Sequence, residues 1–157
     1  MNARRTPSAS QSAFTLIELI TVVAIIAILS SLTLATFGYV QEKAGRSRAE
    51  AEIAALSAAL ESYKADNGNY PAGTNITVSG DNKFLIESLM STNAGSKVYF
   101  EFSRKMTNTG NVVDPFGASY RYQYPGGVDR SGTNFFDLWS TGKKISETNE
   151  GNWIKNW

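Results

Sequence analysis

The sequence contains no histidine and no cysteine among its 157 residues. Without these side chains, histidine- or cysteine-dependent catalysis, disulfide bonds and the usual zinc sites are excluded. No two carboxylates have the spacing of an acid–base pair either, so the sequence predicts a protein that is not an enzyme. Its stability must come from packing, from neighbouring subunits or from a bound ion of another kind.

An excess of positive or of negative charge is also lacking. The chain has 15 Lys and Arg against 14 Asp and Glu, a formal net charge of +1. Arg4 and Arg5 lie in a short polar leader, residues 1–13, and without them 13 basic side chains stand against 14 acidic ones, a net charge of −1. No basic excess indicates a nucleic-acid partner. The length allows one domain plus an anchor.

One long apolar run dominates the chain. Residues 14–40 contain a single charged side chain, Glu18. At about 1.5 Å per residue a helix of this length reaches roughly 40 Å, enough to cross a hydrocarbon core of about 30 Å. The run therefore predicts a transmembrane helix. An unpaired carboxylate at this depth costs several kcal/mol, so Glu18 either reaches the headgroup region or has a partner.

The helix is predicted to continue beyond the membrane. No proline occurs between Phe14 and Asp66, and residues 41–66 form an amphipathic pattern. The apolar stripe of this second half, at i, i+3, i+7 and i+10, consists of Ile53, Leu56, Leu60 and Tyr63. We expect one helix of about 50 residues, which ends before Gly68 and Pro71 because glycine favours a left-handed cap and proline prevents resumption.

The start of the apolar run carries a specific motif. Residues 12–18 read SAFTLIE after a basic leader, and this resembles the class III signal of type IV prepilins and type II secretion pseudopilins. The resemblance implies that a prepilin peptidase cuts between Ala13 and Phe14 and methylates the new amine of Phe14. It also implies that Glu18 pairs with the terminal amine of a neighbouring subunit during assembly. The family usually has glycine where this chain has Ala13.

The leader also predicts the membrane topology. Arg4 and Arg5 should hold the N-terminus in the cytoplasm and place the C-terminal domain on the other side of the inner membrane, in the periplasm. An uncleaved signal anchor would have the same topology, so topology alone does not separate the two interpretations.

The remaining sequence predicts a small antiparallel sheet after a variable connection, residues 67–97, that contains a short helix at 82–91. Strands are expected at 98–102, 120–124 and 135–139, within a C-terminal region of residues 98–157. Tyr120, Tyr122 and Tyr124 alternate, and we expect their common face to pack on the helix rather than bind a ligand. The predicted fold class is α+β, a long N-terminal helix packed on a sheet of three or four strands.

A second motif lies in this C-terminal region. The run of residues 114–117 reads DPFG, and it is followed by Tyr120-x-Tyr122, Pro125-Gly126 and a DLWSxG segment at 137–142. This pattern is similar to the signature of the major pseudopilin of type II secretion. The resemblance implies a type IV pilin-like fold and a structural subunit of the periplasmic pseudopilus. The implied partners are the prepilin peptidase, other pseudopilins and the inner-membrane secretion platform.

The resemblance also implies a calcium site in the C-terminal loop, which this chain does not reproduce. Calcium requires six to eight oxygen ligands, but Lys143, Lys144 and Ile145 stand where the family has an Asp-Gly pair. Asn149 or Trp153 replaces a later aspartate, while Glu147 and Glu150 are the available substitutes. We therefore expect no cofactor, with calcium left as the alternative in which Glu147 and Glu150 substitute for the missing ligands. The loop should be held by the packing of Ile145, Trp153, Ile154 and Trp157, or by contact of Lys143 or Lys144 with a carboxylate.

Other functions stay open at this stage. A minor pseudopilin or a type IV pilin fits the N-terminal motif as well. A membrane-tethered module that binds sugar or peptide would have to expose its aromatic side chains, namely Tyr120, Tyr122, Tyr124, Trp139 and Trp153. An enzyme would need catalytic groups other than histidine and cysteine.

Overall fold

The computed structural model describes residues 14–75, 81–90, 95–143 and 149–157, and for residues 33–36, 74 and 75 it describes the backbone alone. The predicted leader therefore lies outside the described residues. The elements in chain order are α1 (Leu16–Asn67), β1 (Gly73–Asn75), α2 (Lys83–Leu89), β2 (Thr107–Asn108), β3 (Asn111–Val112), β4 (Arg121–Tyr124), β5 (Asp137–Ser140), a turn of 3-10 helix (Glu150–Asn152) and β6 (Ile154–Lys155). The chain divides into two compact units, Met1–Val40 and Gln41–Trp157.

Helix α1 runs for 52 residues without interruption, as the absence of proline predicts. Within Gln41–Trp157 the apolar stripe of the helix enters the core, where its buried members are Ala49, Ile53, Leu56, Ala59 and Leu60. The helix ends at Asn67. Gly68 follows in the left-handed region with φ of 82°, and its amide donates to the carbonyl oxygen of Lys64 at 2.7 Å. Glycine adopts this conformation without strain, so the predicted end of the helix is confirmed.

The sheet is antiparallel and has four strands in the order β1-β4-β5-β6. The central pair is in register with Tyr122 opposite Leu138 and Arg121 opposite Trp139. Strands β2 and β3 form a separate two-stranded sheet. Tyr120, Tyr122 and Phe136 are fully buried, and they belong to the core that also contains the apolar stripe of α1. The α+β fold predicted from the sequence is confirmed.

Two details of the predicted sheet are wrong. Strand β1 comes from the connection, residues 67–97, because residues 73–75 pair with β4. Residues 98–102 form no strand, although their composition favours one. The amides of Tyr99 and Phe100 both donate to the carbonyl oxygen of Leu89, at 2.8 and 3.1 Å. These two amides therefore bond to a carbonyl group at the C-terminal end of α2 and not to a neighbouring strand.

Helix α2 is shorter than the predicted 82–91. It buries Leu85 and Leu89 against the core, and Asn82 precedes it with no exposed surface. The side-chain amide of Asn82 donates to the carbonyl oxygens of Val112 and Tyr120, each at 2.9 Å, and its oxygen accepts from the amide of Val112 at 2.7 Å. Asn82 therefore joins the connecting segment to strand β3 and to Tyr120, directly before β4.

The DPFG segment forms a tight turn around Asp114. One carboxylate oxygen accepts from the amides of Phe116 and Ala118 at 2.9 Å, and the other accepts from the hydroxyl of Ser140 at 2.5 Å. Gly117 adopts φ of 89°, which favours glycine at this position of the turn. The two motifs of the C-terminal region, DPFG and DLWSxG, are thus joined by one hydrogen bond inside the protein.

Candidate functional site

The first turn of α1 holds the predicted assembly residue, Glu18. The amide and the hydroxyl of Thr15 donate to the same carboxylate oxygen of Glu18, at 2.9 and 2.7 Å, and the amide of Glu18 donates back to the Thr15 hydroxyl at 3.3 Å. Because α1 begins at Leu16, Thr15 is the N-cap residue and Glu18 closes a capping box. The carboxylate therefore has hydrogen-bond donors within its own chain.

Thr15 was not singled out by the sequence analysis. The pattern Thr15-x-x-Glu18 directly before an apolar run is a readable capping-box signal. It explains how one carboxylate is tolerated at the start of an apolar helix. The cut predicted between Ala13 and Phe14 lies at the edge of the described residues: Ala13 is outside them, and Phe14 is 87% exposed immediately before the helix.

The first half of α1 exposes its apolar side chains on all sides. One segment of the helix is long and apolar enough to cross a membrane, and none of that segment is buried within the chain. The exposed large side chains are Phe14, Leu16, Ile17, Leu19, Ile20, Val22, Val23, Ile25, Ile26, Ile28, Leu29, Leu32, Phe37, Tyr39 and Val40. A surface of this extent needs an apolar environment, either lipid or the same helix of other subunits.

Two hydroxyl groups within this segment, those of Thr21 and Ser31, are satisfied by the helix itself. Thr21 donates to the carbonyl oxygen of Glu18 at 2.9 Å, and Ser31 donates to that of Ile28 at 2.7 Å. Because each hydroxyl donates to a carbonyl oxygen in the preceding turn of the helix, neither needs water as a hydrogen-bond acceptor. The described part of the segment is therefore chemically suited to lipid.

The aromatic residues of the C-terminal unit form no open binding platform. Tyr120 and Tyr122 have no exposed surface and Trp139 is 1% exposed, whereas Tyr124 and Trp153 are half-buried. Burial and the nearby Glu52 carboxylate raise the pKa of Tyr120 well above its usual value. The membrane-tethered binding module required all of these side chains to be exposed, and the structure contradicts that requirement.

The described residues do not fit a calcium ion. They contain no cluster of three or more acidic side chains. The oxygens of Asp114 are occupied by protein donors, and those of Asp137 accept from the amide of Gly127 at 2.9 Å and from the amide and hydroxyl of Ser131. The buried side-chain atoms without a partner in the described part of the chain are the Ser57 hydroxyl and the Trp139 indole nitrogen. An indole N–H donates and cannot ligate a cation.

The C-terminal end is held by packing and by strand pairing. Strand β6 pairs with β5, Ile154 is buried, and Asn156 accepts from the amide of Leu138 at 2.8 Å and donates to the carbonyl oxygen of Phe136 at 3.0 Å. Lys143 lies 3.8 Å from a carboxylate oxygen of Glu42. Both predicted modes of fixation are therefore present, while Lys144, Ile145 and Glu147 lie outside the described residues.

Comparison with known proteins identifies relatives along nearly the whole chain. Residues 37–157 match the family described as Type II secretion system (T2SS), protein G, and residues 8–34 match the prokaryotic N-terminal methylation motif. Type II secretion system core protein G of Vibrio cholerae is 33% identical over 150 residues, which cover 91% of this chain and 92% of that protein. The protein of the same name from Pseudomonas aeruginosa is 32% identical over 147 residues, with 94% and 95% covered.

These matches agree with the geometry of both units. The methylation motif spans the end of the leader from residue 8, the capping box and most of the exposed apolar segment, and the family match spans the core, the sheet and the C-terminal end. The resemblance found at both ends of the sequence is confirmed. The chain belongs to the type II secretion system protein G family.

Proposed function

We propose that the mature chain is a structural subunit of the periplasmic pseudopilus that drives type II protein secretion. The precursor is cut between Ala13 and Phe14 by a prepilin peptidase, which also methylates the amine of Phe14. The subunit then leaves the inner membrane by joining the filament through its apolar helix. It carries out no chemistry itself and is a substrate of the peptidase.

The observation that carries this proposal is the apolar half of α1. It is exposed around its whole circumference, and its single carboxylate lies in the first turn. A plain anchor would need the apolar length but not a carboxylate at that position, because a charge near the end of a membrane helix is a cost. Identical helices that leave lipid for a filament core need both an apolar surface and a device that sets their register.

Glu18 is the register device. Cleavage would create a cationic amine at Phe14, one turn from Glu18 in the same subunit and available to a neighbour in the filament. Pairing two opposite charges in an apolar environment is far less costly than burying either one alone, and it fixes the register of the partners. The capping box supplies the carboxylate with donors before assembly.

The topology follows from the basic leader. Arg4 and Arg5 keep the N-terminus in the cytoplasm, so that Gln41–Trp157 lies in the periplasm. The partners in this location are the inner-membrane secretion platform and the other pseudopilins. Family membership supports these partners.

The test is the intact mass and N-terminal sequence of the membrane-extracted protein, produced with and without a prepilin peptidase. We expect a chain that begins at methylated Phe14 only when the peptidase is present, and filaments only from that form. A chain that begins at Met1 in both cases would contradict the proposal and leave the apolar segment as an anchor.

A further inference from the structure

A cluster of three tryptophans surrounds the side chain of Arg130. The central guanidinium carbon lies 5.2 Å from the ring centroid of Trp139, 5.5 Å from that of Trp153 and 5.3 Å from that of Trp157. Trp139 stacks on Trp153 and meets Trp157 edge-on. A cation within about 6 Å of an indole face is attracted by the ring, and this attraction grows when water is excluded. One cation therefore contacts all three rings.

Two carboxylates complete the surroundings of the guanidinium. One of its terminal nitrogens lies 2.5 Å from a carboxylate oxygen of Glu150, and the other lies 3.7 Å from one of Asp137. Asp137 belongs to β5 and has no exposed surface, whereas Glu150 lies in the 3-10 turn before β6. Arg130 thus joins the sheet to the C-terminal segment, residues 149–157. The planar fork of arginine suits two carboxylates that approach from different directions.

The loop between β4 and β5 presents Arg130 in a fixed position. The amides of Arg130 and Gly132 both donate to the carbonyl oxygen of Gly127 at 3.0 Å. A side chain at Gly126 would lie 2.8 Å from both Asp137 and the backbone of Gly132, so the loop packs too closely there for any other residue. The Pro-Gly-Gly turn therefore brings the arginine to the carboxylates.

We propose that Arg130 is the resident cation of the C-terminal segment and that this segment folds without a bound metal ion. Asp137 is a fully buried carboxylate, and a buried charge requires a counter-charge and hydrogen bonds. Arg130 supplies the charge, and the amides of Gly127 and Ser131 supply hydrogen bonds. A calcium ion at this position would be repelled by the guanidinium and would find the Asp137 oxygens occupied. Arg130 in this role stabilises the domain itself, independently of filament assembly.

Arg46 and Lys155 also lie near this segment, where Arg46 donates to the carbonyl oxygen of Asn152 at 3.0 Å and the Lys155 nitrogen lies 4.9 Å from the ring centroid of Trp157, but neither forms an ion pair with a carboxylate among the described residues. Lys143 is a further cation, and it fits the role less well. Its nitrogen lies 3.8 Å from Glu42, and the side chains of both residues are largely exposed, at 62% and 47%. Exposed ion pairs contribute little to stability. The side chain of Arg130 is 24% exposed and contacts five partners, so we assign the role to Arg130.

The first test compares the thermal unfolding of the full-length protein in detergent with millimolar calcium and with excess EGTA. Tryptophan fluorescence is the readout, because the three tryptophans of the chain are the three rings that contact Arg130. We expect the same Tm and the same emission spectrum in both conditions. A lower Tm in EGTA, or a higher one in calcium, would overturn the proposal.

The second test replaces the arginine. We expect R130Q to lower Tm by about 5 °C or more and to change the tryptophan emission, since roughly 1 kcal/mol shifts Tm by several degrees in a domain of this size. R104Q is the matched control, because Arg104 is exposed and lies outside the cluster. An R130Q protein that melts and emits like the wild type and R104Q would refute the role of Arg130.

A third variant covers the case in which R130Q does not fold. R130K keeps the charge but loses the fork, so its Tm should fall below that of the wild type while the protein stays folded. If R130K melts like the wild type, the geometry assigned to the guanidinium is wrong. The readout does not depend on filament formation, so a failure here is distinguishable from a failure of the proposed pseudopilus function.

Discussion

Tyr120 donates its hydroxyl hydrogen to Glu52, at 2.9 Å and across 68 residues of sequence. The phenol ring is fully buried, the Glu52 side chain is 11% exposed, and the second oxygen of Glu52 accepts from Arg48 at 2.8 Å. Tyr120, directly before β4, is thereby connected to the polar edge of α1. This bond fixes which turn of the helix faces the sheet within Gln41–Trp157.

Replacing Tyr120 with phenylalanine tests this connection. The change keeps the ring and removes the hydroxyl, so Glu52 loses a donor in a nearly buried position. A hydrogen bond to a charged group is worth about 1.5–3 kcal/mol, and we expect Y120F to lower the free energy of unfolding by that amount in denaturant titrations. Y124F is the control, because the Tyr124 hydroxyl has no hydrogen-bond partner in the described part of the chain. Equal losses in the two variants would contradict the interpretation.

Gly45 and Phe116 provide a second test, because a Cβ atom built at Gly45 would lie 2.8 Å from two atoms of the Phe116 ring. Alanine should gain about 1 kcal/mol of helix propensity at this position, but overpacking costs about 1–3 kcal/mol. We therefore expect G45A to be destabilising in the wild type and stabilising in an F116A background. A double-mutant cycle measured by chemical unfolding gives the coupling directly.

Gly38 supplies the matched control for that cycle. It is also in α1, and a Cβ atom there meets nothing within 4 Å. G38A should show no coupling to F116A. If G45A also shows none, the close approach of the ring to the helix does not exist in solution.

Asp114 predicts a pH dependence of stability. Burial raises the pKa of this carboxyl above its usual value, although the hydrogen bonds from Ser140, Ala118 and Phe116 partly oppose the shift. Because the folded state favours the protonated carboxyl, Asp114 contributes its full stabilisation below the pKa of an aspartate in the unfolded chain, about 3.9. This stabilisation is lost as pH rises through the pKa of Asp114 in the folded state. D114N cannot ionise. The free energy of unfolding of D114N, measured relative to that of the wild type, should therefore increase as pH rises from acid to neutral.

Asp81 gives a control of opposite sign. The amide of Lys83 donates to its carboxylate at 2.9 Å, and this bond lowers the pKa of Asp81. The ionised Asp81 carboxylate therefore stabilises the folded state above the pKa of an aspartate in the unfolded chain, and this stabilisation is lost as pH falls through the lowered pKa of Asp81. Relative to the wild type, D81N should become less stable with rising pH, while D114N should become more stable. Parallel pH profiles for the two variants would show that burial does not control the ionisation of Asp114.

The long helix and its end were readable from the sequence because each depends on neighbouring residues. The absence of proline, the stripe from Ile53 to Tyr63 and the glycine at 68 act over a few residues, and the structure reproduces their consequences. Strands β4 and β5 were also located to within two residues. The alternating side chains of Tyr120, Tyr122 and Tyr124 indicated β4.

The errors concern elements that depend on distant partners. Strand β1 consists of Gly73, Thr74 and Asn75, and glycine and asparagine are depleted in strands, so β1 exists because β4 offers a free edge. Residues 98–102 have the composition of a strand but satisfy the carbonyl of Leu89 instead. Arg130 carried no signal at all, because its partners lie 7 to 27 positions further along the chain and meet it only in the folded sheet.

The capping box leads to the last prediction, which concerns Glu18. Because the Glu18 carboxylate bonds to Thr15 in the first turn of α1 and alanine adds no polar group, E18A should leave the transmembrane length unchanged. We expect E18A to reach the membrane in wild-type amounts and to be processed to Phe14, yet to form few or no filaments, as measured by fractionation, intact mass and electron microscopy. E50A removes an exposed carboxylate from the same helix outside the apolar segment and should assemble normally. If E18A forms filaments as E50A does, the pairing of Glu18 with a neighbouring amine does not set the register. The apolar surface of α1 alone would then have to determine how the subunits align.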